Sequence, residues 1–183
     1  VLVAVADSKG AIHNPTGLNV DELLTLKREG KSVTTYTDAE KMDRDAVIDV
    51  ECDIWIPAAR PDVVNENNAH RLNTRLVVEG ANIPFTHEAE QYLAEKGILC
   101  VPDFIANAGG VICAAMEYQG ASQAAAFQTI EEKLRRNTEQ VLEAVKCKQI
   151  LPREASMNLA IARVKKAMSF RRYSLFSSAP DLT

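Results

Sequence analysis

The sequence predicts an α/β fold: a doubly wound, Rossmann-like, mostly parallel sheet with helices on both faces, followed by long carboxyl-terminal helices. Four short apolar runs are continuous rather than alternating, which is typical of strands buried on both faces of a parallel sheet. These runs are 2–6, 54–56, 76–78 and 98–101. Segments with helical periodicity separate them, and strands that alternate with such helices form βαβ units. Beyond Gly120 the alternation gives way to two long helical patterns.

The boundaries of the predicted helices follow from residues that begin or end helices. Thr37 and Glu40 have the spacing of a capping box, Thr86 can cap a helix that ends at Gly97, and Pro61 suits a first turn. The predicted helices are 21–29, 41–48, 61–72, 86–96, 122–148 and 152–168, and a weaker strand is expected over 32–36.

The composition excludes several classes of protein. Of the 183 residues, 46% are hydrophobic and 25% are charged, as in an ordinary globular domain. The net charge of −4 carries no basic block for a nucleic acid or an anionic membrane surface. No apolar run approaches the roughly 18 residues that span a bilayer, and the amino end does not resemble a secretory signal. We therefore predict a cytoplasmic protein with a small-molecule ligand and with no nucleic-acid or membrane partner.

The cysteines predict neither a metal site nor a disulfide framework. They lie far apart and form no C-x-x-C pair. Buried, reduced thiols are the expected state for most of them. The four are Cys52, Cys100, Cys113 and Cys147.

Asp7 is the first candidate for ligand binding. In an open α/β sheet the ligand lies at the carboxyl ends of the strands, and Asp7 and Ser8 directly follow the first apolar run. An acid there can accept hydrogen bonds from ribose hydroxyls, although a turn or capping role more commonly explains a single aspartate. Ser8 and Lys9 favour the extra phosphate of NADP, whereas Asp7 opposes it, so the choice between NAD and NADP stays open.

Two further candidates follow the second and third apolar runs. Ala58 and Ala59 are small enough to let a flat ligand approach the backbone, although tight helix packing explains them equally well. Asn82 stands two residues after Gly80, and its amide both donates and accepts, as a ribose or a carboxamide requires. Turn chemistry explains the same pair at even odds.

The fourth candidate follows the last run. Asn107 precedes Gly109 and Gly110, which leave backbone N–H groups uncovered at a helix start. Such a helix start suits a carboxylate or a polar ring substituent. Four turns at one sheet edge consist of polar or small residues, which is more than the packing of the sheet requires. Together they predict a ligand site.

Four segments of the chain resemble the cofactor domain of the glutamate/leucine/phenylalanine/valine dehydrogenases. They occur in the family's order over residues 1–170, and the pairing of the last two is specific. The segments are AVADSKGAIHNPTGL (4–18), IPAA (56–59), VVEGAN (77–82), and VPD (101–103) with NAGGV (107–111). The resemblance implies an NAD- or NADP-dependent oxidoreductase. Its reaction is the reversible oxidative deamination of an L-amino acid to its 2-oxo acid and ammonia.

The resemblance also implies roles for individual residues. A serine that touches the distal carboxylate of glutamate commonly stands at the position of Ala114, so leucine, valine or phenylalanine remains an alternative substrate. Residues 11–18 and Glu117-Tyr118 are closer to the glutamate branch, which keeps glutamate favoured. By position, Asp7 and Ser8 meet the adenosine ribose, Ala58 and Ala59 line the dinucleotide cleft, Asn82 and Asn107 hold the nicotinamide half, and Val111 and Ala114 shape the substrate pocket.

Large parts of the family pattern have no counterpart in this chain. These are the G-x-G-x-x-G turn, the first strand, and the substrate domain with its catalytic lysines and aspartate. We therefore expect the carboxyl-terminal part of an amino-acid dehydrogenase, inactive alone and without a catalytic residue of its own. Its amino-acid or 2-oxo-acid substrate would bind through the missing domain, and the enzyme would be a homo-oligomer. The predicted division is an incomplete NAD(P)-binding domain over 1–121, helices of the same domain over 122–170, and a tail over 171–183.

The absent first strand leaves two questions open. In the family it lies between the strands at 2–6 and 54–56, so either these pair directly, or another chain or another element fills the gap. A non-catalytic nucleotide-binding or interaction module is the alternative from a different functional class. An unrelated flavodoxin-like domain ranks last, because it does not predict the paired Gly-Ala-Asn and Asn-Ala-Gly-Gly turns.

Overall fold

The computed structural model describes residues 1–170, and the predicted tail over 171–183 lies outside them. The chain divides into two compact units, the first spanning Val1–Asp103 and the second beginning at Phe104. The predicted domain division after residue 121 stays a prediction.

The first unit begins with a small antiparallel sheet in the order β1-β2-β3. Asp7 pairs with Gly10 across a two-residue turn, so β1 and β2 form a hairpin. One helix, α1, follows the hairpin and is capped by the Asn19 side chain. The elements are β1 (Ala4–Asp7), β2 (Gly10–His13), α1 (Val20–Arg28) and β3 (Glu40–Met42).

The hairpin has a local cause. The Asp7 carboxylate accepts a hydrogen bond from the Lys9 backbone N–H at 2.9 Å, which turns the chain back on itself. A Cβ atom at position 10 would lie 2.8 Å from the Thr34 Cγ2, so only glycine fits there. Ile12 is then fully buried in a small core. That core contains Ile12, Leu18, Leu23, Val33 and Tyr36.

The first unit continues with a parallel sheet in the order β4-β5-β6. The helix α2 connects β5 to β6, and the Thr86 hydroxyl caps it by accepting from the Ala89 N–H, as the sequence predicts. Val77 and Leu93 are completely buried between sheet and helix. The elements are β4 (Ile54–Trp55), β5 (Leu76–Val78), α2 (His87–Glu95) and β6 (Leu99–Val101).

Three predicted elements of the first unit are wrong. The strand over 32–36 is a 3₁₀ turn at Val33–Thr35, because the Ser32 hydroxyl accepts from the Thr34 N–H and caps it. The helix over 41–48 is replaced by β3 and a 3₁₀ segment at Arg44–Asp49, because residues 40–42 pair with β2.

The predicted helix over 61–72 is reduced to a 3₁₀ turn at Ala69–Arg71. The Asn68 side chain accepts from the Asn65 N–H and donates to the Val63 carbonyl. Asparagine side chains that bond to the backbone in this way compete with the helix. Asp62 also has a left-handed backbone (φ 51°), which a helix does not allow.

The second unit is helical in its described part. The Ser122 hydroxyl caps α5 by accepting from the Ala125 N–H, and Gln149 ends this helix in a left-handed conformation. Pro152 stands in the first turn of α6. The predicted long helices are therefore confirmed. The elements are α3 (Asp103–Ala106), which starts at the unit boundary, then α4 (Gly109–Tyr118), α5 (Gln123–Lys148) and α6 (Pro152–Ser169).

The predicted α/β class is confirmed, with one difference in topology. Among the strands of residues 1–170, β4, β5 and β6 pair in parallel, while β1 pairs with β2 in an antiparallel sheet. Because β1 and β4 belong to different sheets, the alternative in which the first two predicted strands pair directly is wrong.

Candidate functional site

The turns that follow β4 and β5 meet at the carboxyl edge of the parallel sheet. The Pro57 carbonyl accepts hydrogen bonds from the N–H groups of Gly80 (3.0 Å) and Ala81 (2.7 Å). A Cβ atom added to Gly80 would lie 3.4 Å from the Ala58 Cβ and 3.5 Å from the Pro57 carbonyl oxygen. The space at position 80 therefore accommodates a side chain no larger than a methyl group while the two backbones lie side by side. Two of the four predicted turns are brought together.

The predicted contact residues at this edge face solvent. Ala58, Ala59 and Asn82 are all exposed, whereas Pro57 beneath them is buried. Small exposed side chains leave room for an aromatic ring, and an exposed amide can hydrogen-bond its polar substituent.

The loop that carries Asn82 is held in a strained conformation. Ile83 has φ 49°, in the left-handed region, although its β-branched side chain disfavours it. The Ile83 N–H donates to the Asp103 carboxylate at 2.8 Å, and its carbonyl accepts from the Asp62 N–H at 2.9 Å. These two hydrogen bonds fix the backbone directly after Asn82.

Two buried carboxylates support this loop from below. Glu79 is fully buried and Asp103 is 6% exposed. The Glu79 carboxylate accepts from the Asp103 N–H at 3.0 Å. Sequence reasoning did not assign a role to either residue. The available pattern was an acidic residue just after each of two neighbouring parallel strands, since Glu79 follows β5 and Asp103 comes two residues after β6.

Asp7 lies in the hairpin rather than at the edge of the parallel sheet. Its Oδ1 accepts from the Lys9 N–H and the Ser32 hydroxyl, and its Oδ2 accepts from the Val33 N–H and the Lys27 ammonium. Four donors occupy every acceptor position of a carboxylate. A ribose hydroxyl would therefore have to displace a donor, and Lys27 is the half-exposed one. Ser8 is exposed in the turn.

The same donors determine the ionisation of Asp7. Partial burial by itself raises the pKa of this carboxyl. The hydrogen bonds from the Lys9 and Val33 backbone and from the Lys27 and Ser32 side chains outweigh burial, and they hold the pKa well below its usual range. Asp7 is consequently ionised at neutral pH.

In the second unit, α4 begins without a capping side chain. Ala108 occupies the cap position, and the first turn contains no acidic residue. Gly110 is exposed, and a Cβ atom there would meet nothing within 4 Å. Val111 is 78% exposed, and Ala114, one turn further along, is exposed on the same face. Asn107 lies two residues before the helix and is partly buried.

Two other kinds of site have no support in the described residues. Residues 1–170 contain no group of three or more histidine, cysteine, aspartate or glutamate side chains placed to hold a metal ion. Within the same residues, no helix is both long and apolar enough to cross a membrane.

Comparison with known proteins gives consistent matches. Residues 1–172 match the family model described as glutamate/leucine/phenylalanine/valine dehydrogenase. Glutamate dehydrogenase of Aeropyrum pernix is 34% identical over 180 residues, which are 93% of this chain and 43% of that protein. Glutamate dehydrogenase of Thermotoga maritima is 44% identical over 117 residues, which are 64% of this chain and 28% of that protein.

A solved structure gives the same match at the level of the fold. The hetero-hexameric glutamate dehydrogenase of Thermus thermophilus, in its leucine-bound form, superposes with a TM-score of 0.78 at 27% identity. The match covers 92% of this chain and 41% of that one. The chain thus spans less than half the length of the proteins that it matches.

Proposed function

Because this chain belongs to the glutamate/leucine/phenylalanine/valine dehydrogenase family, we propose that it forms part of the dinucleotide site of an amino-acid dehydrogenase. The parent enzyme oxidatively deaminates an L-amino acid to its 2-oxo acid and ammonia, with NAD or NADP as the hydride acceptor. The observation that supports this best is the joined pair of turns at the carboxyl edge of the parallel sheet, where the Pro57 carbonyl holds Gly80 and Ala81.

The residues of the first unit fit a dinucleotide in the following way. Ala58 and Ala59 offer a flat, exposed surface for a ring, and the Asn82 amide can donate to and accept from a ribose or a carboxamide. The bound dinucleotide supplies the hydride-accepting ring, while these residues bind and orient it. Asp7 and Ser8 are proposed to meet the adenosine ribose once Lys27 gives way.

The roles of the second unit and of the missing parts remain predictions. Asn107 is assigned to the nicotinamide half, and Val111 and Ala114 to the substrate side chain. Glutamate is the proposed substrate. The exposed apolar pair Val111 and Ala114 is the observation that favours leucine, valine or phenylalanine instead. A homo-oligomer, a cytoplasmic location and a separate substrate domain carrying the catalytic lysines and aspartate are likewise part of the proposal.

An activity screen of the intact parent protein tests this function. Glutamate, leucine, valine and phenylalanine would each be assayed with NAD and with NADP by following reduction of the dinucleotide at 340 nm. We expect the highest kcat/KM for glutamate. A higher kcat/KM for leucine, valine or phenylalanine would indicate that the parent enzyme is a dehydrogenase for that amino acid instead. No oxidation of any of the four, in a parent that binds the dinucleotide, would indicate a non-catalytic nucleotide-binding module.

The chain alone is expected to bind a dinucleotide weakly. It lacks the glycine-rich turn whose N–H groups would hold the pyrophosphate, so much of the binding energy is absent. Calorimetric titration of residues 1–183 with NADH should therefore give an affinity no tighter than the micromolar range. A submicromolar dissociation constant would contradict this prediction.

Gly80 offers a direct test of the joined turns. Replacing it with valine adds methyl groups beyond a Cβ position that is already 3.4 Å from Ala58, so the two turns must separate. We expect Gly80→Val to weaken NADH binding by about tenfold or more in the parent protein. Gly80→Ala is the matched control, because its Cβ makes ordinary contacts, and it should stay close to wild type. Equal affinities for both variants would argue against this edge as the binding site.

A further inference from the structure

The loop that presents Asn82 is connected to two buried carboxylates by a continuous series of hydrogen bonds. Glu79 accepts from the Asp103 N–H, and the Asp103 carboxylate accepts from the Ile83 N–H. The Ile83 carbonyl then accepts from the Asp62 N–H. Every one of these residues belongs to the first unit.

This series of bonds stabilises a backbone conformation that the side chain at position 83 disfavours. Ile83 is β-branched and left-handed (φ 49°), yet it is 59% exposed and makes little packing contact to compensate. A conformation of this kind persists only where surrounding contacts enforce it. The hydrogen bond from the Ile83 N–H to the Asp103 carboxyl is such a contact, because the buried acceptor would lose its partner if the backbone at Ile83 changed conformation.

We propose that Asp103 is a positioning residue for the dinucleotide: it fixes the left-handed backbone at Ile83 and thereby places the Asn82 amide for the nicotinamide ribose or carboxamide. Glu79 supports Asp103 by accepting its N–H from the adjacent strand end. The inference rests on the proposed dinucleotide site, and it adds residues that do not touch the ligand themselves.

Three substitutions separate positioning from a general role in stability. Asp103→Ala removes the acceptor of the Ile83 N–H, whereas Asp103→Asn retains one acceptor oxygen. Ile83→Gly removes the need to hold the left-handed backbone in place, since glycine adopts this conformation freely. If Asp103 acts by enforcing Ile83, glycine at position 83 compensates for the loss of the carboxylate. If Asp103 only stabilises the fold, Ile83→Gly compensates for nothing.

The test measures NADH affinity in the parent protein for the single variants and for Asp103→Ala combined with Ile83→Gly. We expect Asp103→Ala to weaken binding by about tenfold, Asp103→Asn to fall between it and wild type, and the double variant to recover to within about threefold of wild type. Asp49→Asn is the matched control, because it breaks an exposed pair with Arg71 away from this loop, and its affinity should not change. Unchanged affinity in Asp103→Ala, or no recovery in the double variant, would overturn the proposal.

A second measurement needs neither a variant nor a ligand. In the isotope-labelled wild-type chain, the Ile83 amide should be protected from hydrogen exchange, although the Ile83 side chain is exposed. Exchange at the rate of an unstructured peptide would overturn the proposal even if Asp103→Ala failed to fold. If the parent binds no dinucleotide while the Ile83 amide is protected and loses protection in Asp103→Ala, the proposed function fails and the enforcement of Ile83 by Asp103 stands.

Discussion

Replacing Leu93 with alanine is expected to lower the free energy of unfolding of the first unit by about 3 kcal/mol. Leu93 is 0% exposed and lies on α2 in the core beneath the parallel sheet, together with Val77 and Ala89. The substitution removes buried apolar area and leaves a cavity that close-packed neighbours fill only partly. Urea denaturation of the chain, followed by circular dichroism, measures the change.

Leu24→Ala is the matched control for this prediction. Leu24 is 47% exposed on α1, so the same chemical change there should cost less than about 1 kcal/mol. If the two variants unfolded at the same urea concentration, Leu93 would not lie in a packed core, and the assignment of α2 to the face of the parallel sheet would be wrong.

Replacing Asp7 with asparagine is expected to cost about 2 kcal/mol at neutral pH. The neutral amide oxygen accepts more weakly than a carboxylate from Lys27, Ser32 and the Val33 N–H. The NH₂ group of asparagine would also face one of these donors, and two donors cannot form a hydrogen bond with each other. Because the pKa of Asp7 is lowered in the folded protein, its contribution is fully present above the ordinary aspartate pKa and is lost as the pH falls towards the folded value. Asp7→Asn should therefore flatten the acid side of the stability profile.

The measurement is urea unfolding of wild type and Asp7→Asn between neutral and acidic pH. Asp53→Asn serves as the control for loss of a charge, since the Asp53 side chain is 84% exposed. Lys27→Met separates the half-exposed ion pair from the other bonds and should cost less than about 1 kcal/mol. Parallel pH profiles for wild type and Asp7→Asn would show that Asp7 is not held by these donors.

The secondary structure was predicted correctly where the local sequence pattern and the packing of the folded chain favour the same element. The apolar runs of β5 and β6 are strands whose Val77 and Cys100 share a core with Leu93 of α2. That helix is capped by Thr86 and ends before Gly97, as its capping residues require. The predictions for 32–36, 41–48 and 61–72 failed because side chains of serine and asparagine bond to the backbone there, or because a strand partner is available in β2. Hydrogen bonds from these side chains to the backbone compete with helix and strand formation, and the spacing of apolar residues in the sequence carries no information about them.

The candidate site divides in the same way. The position of the turns after β4 and β5 at one sheet edge was expected, because the carboxyl ends of parallel strands lie at the same edge. The supporting roles of Glu79 and Asp103 were not, because a carboxylate after a strand ordinarily indicates a turn, and its burial follows only from the packed structure. For Asp7 the sequence pattern was misleading. An aspartate that follows an apolar run was expected at the carboxyl end of a parallel strand, but it lies in the turn of an antiparallel hairpin.

The most direct measurement of the central claim is a titration of the isotope-labelled chain with NADH, observed by amide chemical shifts. The first unit is expected to respond at the turns that contain Ala58, Ala59 and residues 80–83, and at the hairpin turn that contains Asp7 and Ser8, with fast exchange as weak binding requires. The backbone amides of the 3₁₀ segment Arg44–Asp49 serve as internal references. A protein whose Gly80, Ala81 and Asn82 amides do not shift at millimolar NADH would contradict the assignment of this sheet edge to the dinucleotide.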